Sequence, residues 1–331
     1  MEQKIKKRKK EGMEFINKII LSDCLEGIKQ MPDSSVDCCI SSPPYWGLRD
    51  YGVDGQIGLE ENYSEFIAKL IELYSEIQRV LKPTGTCFVN LGDTYAGSGS
   101  GTTKNADTSK YIENSKQVYV LPNGTAKASK FRGTNLNKSL LMIPERFAIG
   151  MIDAGWILRN QIIWHKPNQM PSSATDRFTV DFEKIFFFVK QSTGYYFEQQ
   201  LEPYTKPLDR WGGDDLEANG KSTWDNGTGQ TTYRNRNMRP NPDGKNMRTV
   251  WSINTEPFPE AHFATYPEKL VKRMIEAGCP ENGLVLDPFM GAGTTAVVAK
   301  KLNRNYTGFE LNAKYKLIAE NRLIKEIGLF L

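Results

Sequence analysis

The chain has 331 residues, 25% of them charged and 39% apolar, with a formal net charge of +4. That length exceeds a usual single core and points to one large α/β domain with a sizeable insertion. Five cysteines (Cys24, Cys38, Cys39, Cys87, Cys279) form no CxxC pair and join only His165 and His262, so neither a zinc site nor a disulfide framework is expected.

Charge is concentrated rather than global. The first ten residues hold Lys4, Lys6, Lys7, Arg8, Lys9 and Lys10 against Glu2, and without this tail the chain is slightly negative. Residues 1–12 read as a solvated, flexible basic run. Any nucleic-acid face must come from a local cluster further on. No apolar run reaches membrane-spanning length and no apolar stretch follows the lysine-rich start, so a cytoplasmic protein without membrane contact is expected.

Residues 19–22 predict a short strand, followed by Asp23, Cys24 and an amphipathic stretch to Met31. After the turn residues Asp33, Ser34 and Ser35, the segment VDCCIS (36–41) predicts a second strand, which runs into Ser42-Pro43-Pro44-Tyr45-Trp46-Gly47. Two consecutive prolines lack backbone donors, so the chain leaves the sheet here, with a tyrosine and a tryptophan on an exposed loop. Phe66, Leu70, Leu73, Ile77, Val80 and Leu81 recur at helical spacing and predict an amphipathic helix over 63–81. Lys82-Pro83-Thr84-Gly85 closes it. Residues 86–91 predict a further strand with Gly92-Asp93-Thr94-Tyr95 at its carboxyl end, so Ser42 and Asp93 arrive at one sheet edge.

From 97 to 138 the pattern dissolves into Gly, Ser, Thr, Asn and Lys, with seven basic residues against Asp107 and Glu113. A stretch of this kind is either a mobile basic loop that orders on a phosphate backbone or plain disorder. A helix is predicted over 140–154, a strand over 156–165, and a central strand over 183–190 (EKIFFFVK). The stretch 191–247 is rich in turn residues and nearly free of helical periodicity. Its second half carries Lys221, Arg234, Arg236, Arg239, Lys245 and Arg248 among Trp224, Tyr233 and asparagines. This is the inventory of a nucleic-acid reader, and equally of a solvated loop insertion.

A helix over 268–277 and a strand over 284–286 then lead into VLDPFMGAGTT (285–295), followed by a helix over 296–302, a strand over 305–310 and a closing helix over 313–327. Gly291 and Gly293 permit positive φ and close backbone approach to a ligand. A glycine-rich turn at a strand's carboxyl end is where an α/β sheet holds a cofactor, although a merely tight βα turn has the same composition. No Lys-Ser/Thr follows the last glycine and no GxGxxG is present, which speaks against a triphosphate or dinucleotide loop.

SPPYWG (42–47), HFATYP (262–267) and DPFMGAGTT (287–295), in this order, resemble the permuted beta class of amino DNA methyltransferases, the N4-cytosine/N6-adenine family. The segments NLGDTY (90–95), GWILRNQIIWHKPN (155–168) and DRFTVDFEKIFFFVK (176–190) agree with that resemblance, which spans residues 18–324 and is strongest to the SPPY-type cytosine-N4-specific enzymes. It implies an α/β, Rossmann-like S-adenosylmethionine-dependent methyltransferase fold: a mostly parallel seven-stranded sheet with helices on both faces, plus a target-recognition insertion. The chain would then divide into the tail 1–12, a catalytic half 13–190, the insertion 191–250 and a cofactor-binding half 251–331.

The resemblance also implies a site. Asp287, Pro288, Phe289, Gly291, Gly293, Thr294 and Thr295 would wrap the methionine end of S-adenosyl-L-methionine. Glu310 would hold the ribose hydroxyls, Phe263 and Ala264 would line the pocket, and Asp23 and Cys24 would lie near the adenine. His262 is either a packing or a pocket residue, and no metal is implied. The Ser42 hydroxyl and Pro43 carbonyl would accept hydrogens of a base amine, with Pro44 stiffening the turn and Tyr45 stacking on a base turned out of the duplex. Asp93 is a second acceptor and proton sink, or a turn-capping aspartate. Lys221, Arg234, Arg236, Arg239, Lys245 and Arg248 would contact double-stranded DNA.

Carbon-5 methylation needs a cysteine nucleophile after a proline in its family, and none of the five cysteines follows one. Ser in the first motif position usually accompanies cytosine N4 in this family, with adenine N6 as the alternative. An RNA methyltransferase and an inactive nucleic-acid binder are the further readings. The resemblance implies either a restriction-modification setting, with a cognate restriction endonuclease as partner, or a solitary or phage modification enzyme, and the protein would act as a monomer or homodimer.

Overall fold

The computed structural model describes residues 15–48, 52–97, 136–204, 241, 243–256 and 265–328. The basic tail, nearly all of the 97–138 stretch, Lys221, Arg234, Arg236, Arg239, His262, Phe263 and Ala264 lie outside the described residues.

The chain forms two compact units, one made of the residues up to Glu198 and from Thr249 onward, the other of Gln199–Arg248. In chain order the first holds β1 (Lys18–Leu21), α1 (Cys24–Lys29), β2 (Val36–Ser41), α2 (Tyr63–Val80), β3 (Leu81–Leu91), α3 (Ile143–Asp153), β4 (Ile157–His165) and β5 (Phe182–Val189). After the second unit, with β6 (Leu201–Glu202) and β7 (Lys245–Asn246), it resumes with β8 (Val250–Ser252), α4 (Glu268–Gly278), β9 (Leu284–Asp287), α5 (Thr294–Lys301), β10 (Asn305–Glu310) and α6 (Ala313–Ile327).

The main sheet has the order β1-β10-β9-β2-β3-β5-β4-β8. All neighbours are parallel except at β5, which runs antiparallel to both β3 and β4. The described sheet therefore has eight strands rather than seven. The addition, β8, is three residues long, too short for a period-2 pattern to announce it. β3 also begins earlier than its sequence suggests. Residues 82–85 sit in an irregularity of the β2–β3 pairing between the Val36–Leu81 and Cys38–Thr86 partners, where Pro83 deprives no ladder bond of its donor.

Alternation along the strands builds two layers. Phe186 and Phe188 face α3, where Phe147 packs against both at 6.3 Å, while Phe187 stacks on Phe88 at 4.6 Å on the opposite face. α1, α2 and α3 pack together on the first face, and α4, α5 and α6 on the second. Tight helix approach needs small residues: a Cβ on Gly27 of α1 would lie 2.2 Å from the Phe309 ring. In the second unit β6 and β7 form a short antiparallel ladder, and the Tyr204 hydroxyl donates to the Asn241 and Gly244 carbonyls at 3.2 and 3.1 Å. No helix among the described residues is long and apolar enough to cross a membrane.

Candidate active site

The carboxyl ends of β1, β2, β4, β9 and β10 open onto a cavity of about 860 Å³, within the roughly 300–1,000 Å³ of small-molecule sites. Because β5 is reversed, its amino end reaches the same edge. The cavity lining includes Pro288, Phe289, Gly291 and Thr294 after β9, Glu310 at the end of β10, Asp23 and Cys24 after β1, and Ser42, Pro43, Pro44 and Tyr45 after β2.

The glycine loop is held from behind. Asp287 is fully buried: its Oδ1 accepts from the Phe289 N–H at 2.9 Å, and its Oδ2 from the Tyr266 hydroxyl at 2.8 Å and the Thr295 hydroxyl at 2.5 Å. Burial pushes the Asp287 carboxyl above its usual range despite these bonds. Gly291 and Gly293 both have positive φ, +53° and +78°, and a Cβ on Gly293 would lie 2.8 Å from the Ala319 Cβ. Glu310, at the end of β10, accepts from the Gly291 and Asn312 N–H groups at 2.9 and 2.8 Å, and burial pushes its carboxyl up as well. Asp23 caps α1 by accepting from the Glu26 N–H at 3.0 Å, and burial pushes the neighbouring Cys24 thiol up to about 12.

These contacts fit the donor cofactor that the sequence implies. Backbone at positive φ, apolar walls from Pro288 and Phe289, and a half-buried carboxylate at a strand end are what a sulfonium nucleoside needs at its methionine and ribose ends. Phe289, Gly291, Thr294 and Glu310 are the residues that could hold it.

Further along the sheet, at β3, β5 and β4, the pleat sets up a polar row. Asn90 of β3 pairs with Ile185, and Trp164 of β4 pairs with Glu183, so Asn90, Glu183, Trp164 and, two residues on, Lys166 project from one face. Glu183 Oε2 accepts from the Tyr45 hydroxyl at 2.6 Å and from Asn90 Nδ2 at 2.7 Å, and Lys166 Nζ donates to Oε1. Asn90 Nδ2 also reaches the Tyr45 hydroxyl at 3.2 Å and the Ser42 hydroxyl at 3.4 Å. Burial, then the Glu183 charge, pushes the Tyr45 hydroxyl well above its ordinary value. The Tyr45 ring lies where a Cβ on Gly92 would come within 2.4 Å, so only glycine fits after β3.

The DNA methylase model of the N6_N4_Mtase family matches residues 36–321. The chain belongs to the N6/N4 DNA methylase family. The methylase is 36% identical over 309 residues to type II methyltransferase M.SmaI of Serratia marcescens, covering 93% of this chain and 91% of the relative. To type II methyltransferase M.Cfr9I of Citrobacter freundii it is 38% identical over 301 residues, covering 91% and 85%. Its fold is also that of the PvuII DNA methyltransferase (cytosine-N4-specific), with a TM-score of 0.57 at 18% identity over 92% of this chain and 85% of that one. A DNA modification methylase from Thermus thermophilus, solved with S-adenosyl-L-methionine, gives 0.53 at 22% identity over 94% of each chain.

Several residues of the methylase sit elsewhere than their motifs suggest. Asp287, Gly293 and Thr295 are not on the cavity wall; they brace the loop whose outer face is. Asp93 also turns away, its Oδ1 accepting from the Thr94 and Ile143 N–H groups at 2.8 and 3.1 Å, so it caps the loop and the start of α3. Trp46 is not on an exposed loop: it is buried, with its indole N–H on the Glu60 carbonyl at 3.1 Å and its ring edge-on to Tyr63. Lys245 and Arg248, in the second unit, both pair with Glu202, at 3.4 and 2.6 Å.

Sequence reasoning missed Tyr266, Asn90, Lys166 and Glu183 of the methylase as wall residues. All four stand inside the segments that carry the resemblance. Glu183 left one further signal, the lone carboxylate of a strand that is otherwise apolar except for Lys184.

Proposed function

We propose that the protein is a site-specific DNA methyltransferase that moves the methyl group of S-adenosyl-L-methionine to N4 of a cytosine turned out of the duplex, as the modification enzyme of a type II restriction-modification system. The observation that carries this reading is the Ser42-Pro43-Pro44-Tyr45 turn lining the same cavity as the glycine loop, at the ends of the neighbouring strands β2 and β9. The type II relatives and the cytosine-N4-specific structural neighbour support it.

When bound, S-adenosyl-L-methionine supplies a methyl group activated by a sulfonium. The chain then has to hold a nucleophile in line with that group and exclude water. An exocyclic base amine is a poor nucleophile because its lone pair is delocalised into the ring. The Ser42 hydroxyl and the Pro43 carbonyl accept its two hydrogens and localise that pair on nitrogen. Pro43 and Pro44 keep these acceptors fixed, since neither can rotate about φ. Phe289 and Gly291 shape the donor side, Glu310 takes the ribose hydroxyls, and Asp287 and Thr295 keep the loop in place. The region 191–250 reads the site through Arg234, Arg236 and Arg239. The family also covers N6-adenine methylation, which is the second reading.

Mass spectrometry of nucleosides from the DNA of a methylation-free host expressing the protein tests this. N4-methylcytosine is the expected product. N6-methyladenine would move the target to adenine, and neither modified base would remove the DNA methyltransferase reading.

A further inference from the structure

Methyl transfer to an amine leaves a proton to be disposed of. The nitrogen lone pair forms the bond to the methyl carbon, the carbon–sulfur bond breaks with its electrons left on sulfur, and nitrogen becomes cationic. One N–H bond must then break, its electrons returning to nitrogen, and the proton needs a base. Asp93, the carboxylate its motif offers for this task, faces Thr94 and the start of α3 and does not line the cavity.

Among the described residues four carboxylates do line it: Asp23, Glu183, Glu256 and Glu310. Asp23 caps α1, Glu310 holds the glycine loop, and Glu256 is exposed. Glu183 is hydrogen-bonded to the Tyr45 hydroxyl and to the Asn90 amide that reaches Ser42. Its charged and titratable neighbours are Lys166, from the end of β4, and Tyr45, from the turn after β2. Lys166 occupies Oε1, which leaves Oε2 as the atom turned toward Tyr45, at 2.6 Å.

We propose that Glu183 is the proton acceptor of the methyl transfer, reached through the Tyr45 hydroxyl. The amine proton held by Ser42 passes to Ser42 Oγ as the Ser42 hydroxyl proton moves to Tyr45 Oη and the Tyr45 proton to Glu183 Oε2, and it leaves Glu183 for water once the product has gone. Tyr45 is unchanged after the cycle. Asn90 Nδ2, with two hydrogens to give, donates to Glu183 at 2.7 Å and stands within reach of Tyr45 and Ser42, which fixes both ends of this path. The assignment rests on the reading of the protein as an amino-group methyltransferase, not on which base it modifies.

The experiment uses the full chain in excess over unmethylated genomic DNA, with isotope-labelled S-adenosyl-L-methionine, and follows methyl incorporation in a single turnover at neutral pH. Glu183→Gln should lower the rate about 100-fold or more. Its equilibrium affinity for S-adenosyl-L-methionine should stay within about twofold, so that the loss lies in transfer rather than binding. Tyr45→Phe removes one oxygen and leaves the ring against Gly92, so it carries the test if Glu183→Gln does not fold. It should show the same loss, and the double variant no further loss, because both break one path. Wild-type rates in either single variant, or additive losses in the double variant, would overturn the proposal. A wild type that labels no DNA would overturn the amino-methyltransferase reading and this proposal with it.

Discussion

Both oxygens of Asp287 are engaged inside the protein, by the Phe289 N–H and by the Tyr266 and Thr295 hydroxyls. Its effect on the cofactor is therefore indirect: it fixes the turn that carries Pro288, Phe289 and Gly291. Asp287→Ala strands buried donors, which costs about 1–3 kcal/mol, and should abolish S-adenosyl-L-methionine binding in calorimetric titration. The pH dependence has a definite sign. The folded-state value of Asp287 is raised by burial, so the folded protein holds this proton more tightly than the unfolded chain. Stability therefore falls as pH rises from about 4 through the raised value, then levels off. Asp287→Asn should lack that fall, and thermal melts of the two proteins across this range check it.

At the scale of elements, the loop depends on how α4, α5 and α6 are tied beneath it. Arg322 of α6 is 8% exposed; it donates to the Thr294 hydroxyl at 2.8 Å, to Glu268 of α4 at 2.7 Å and to Glu326 at 2.6 Å. Lys301, at the end of α5, bridges the same two carboxylates at 2.9 and 2.6 Å. Burial works against the charge on Glu326, but the bonds from Lys301 and Arg322 outweigh it and hold its carboxyl down at about 2. The sign is opposite to that at Asp287. This contribution is present above the ordinary glutamate range and is lost as pH falls through about 2. Glu326→Gln should destabilise the protein at neutral pH by up to about 1 kcal/mol, as expected for a partly exposed network. Its melting temperature should converge on that of the wild type as pH approaches 2. A constant gap would assign the loss to packing instead.

For the whole molecule, the division that matters is between a sheet that carries the chemistry and a Gln199–Arg248 unit set into the chain between β5 and β8. Of the six basic residues proposed for DNA in that stretch, Lys245 and Arg248 also pair with Glu202, while Arg234, Arg236 and Arg239 form the closest-spaced basic cluster along the sequence. Replacing these three with Ala should weaken DNA binding or relax site choice, and should reduce the salt slope by about 0.9 for each phosphate no longer neutralised. Affinity for S-adenosyl-L-methionine should not change. DNA affinity and methylation pattern both left as in the wild type would place the reader elsewhere in the chain.

What the sequence determined by itself was local: helical spacing from Tyr63 to Val80, the strand VDCCIS, the double proline that ends it, and the glycines after β9. Period, donor loss and permitted φ are properties of a few consecutive residues, so they survive without tertiary context. The order of motifs also pointed to the family. Strand direction and side-chain orientation were decided only by the tertiary structure. Nothing in EKIFFFVK distinguishes a reversed strand from a parallel one, yet the reversal of β5 brings Glu183 to the edge that holds Ser42. Asp93 and Asp287 stand in recognisable motifs, but the donors that turn them away from the cavity are backbone and side-chain groups up to 50 residues distant along the chain. Which face a carboxylate presents depends on which buried donors reach it first, and only the packed chain fixes that.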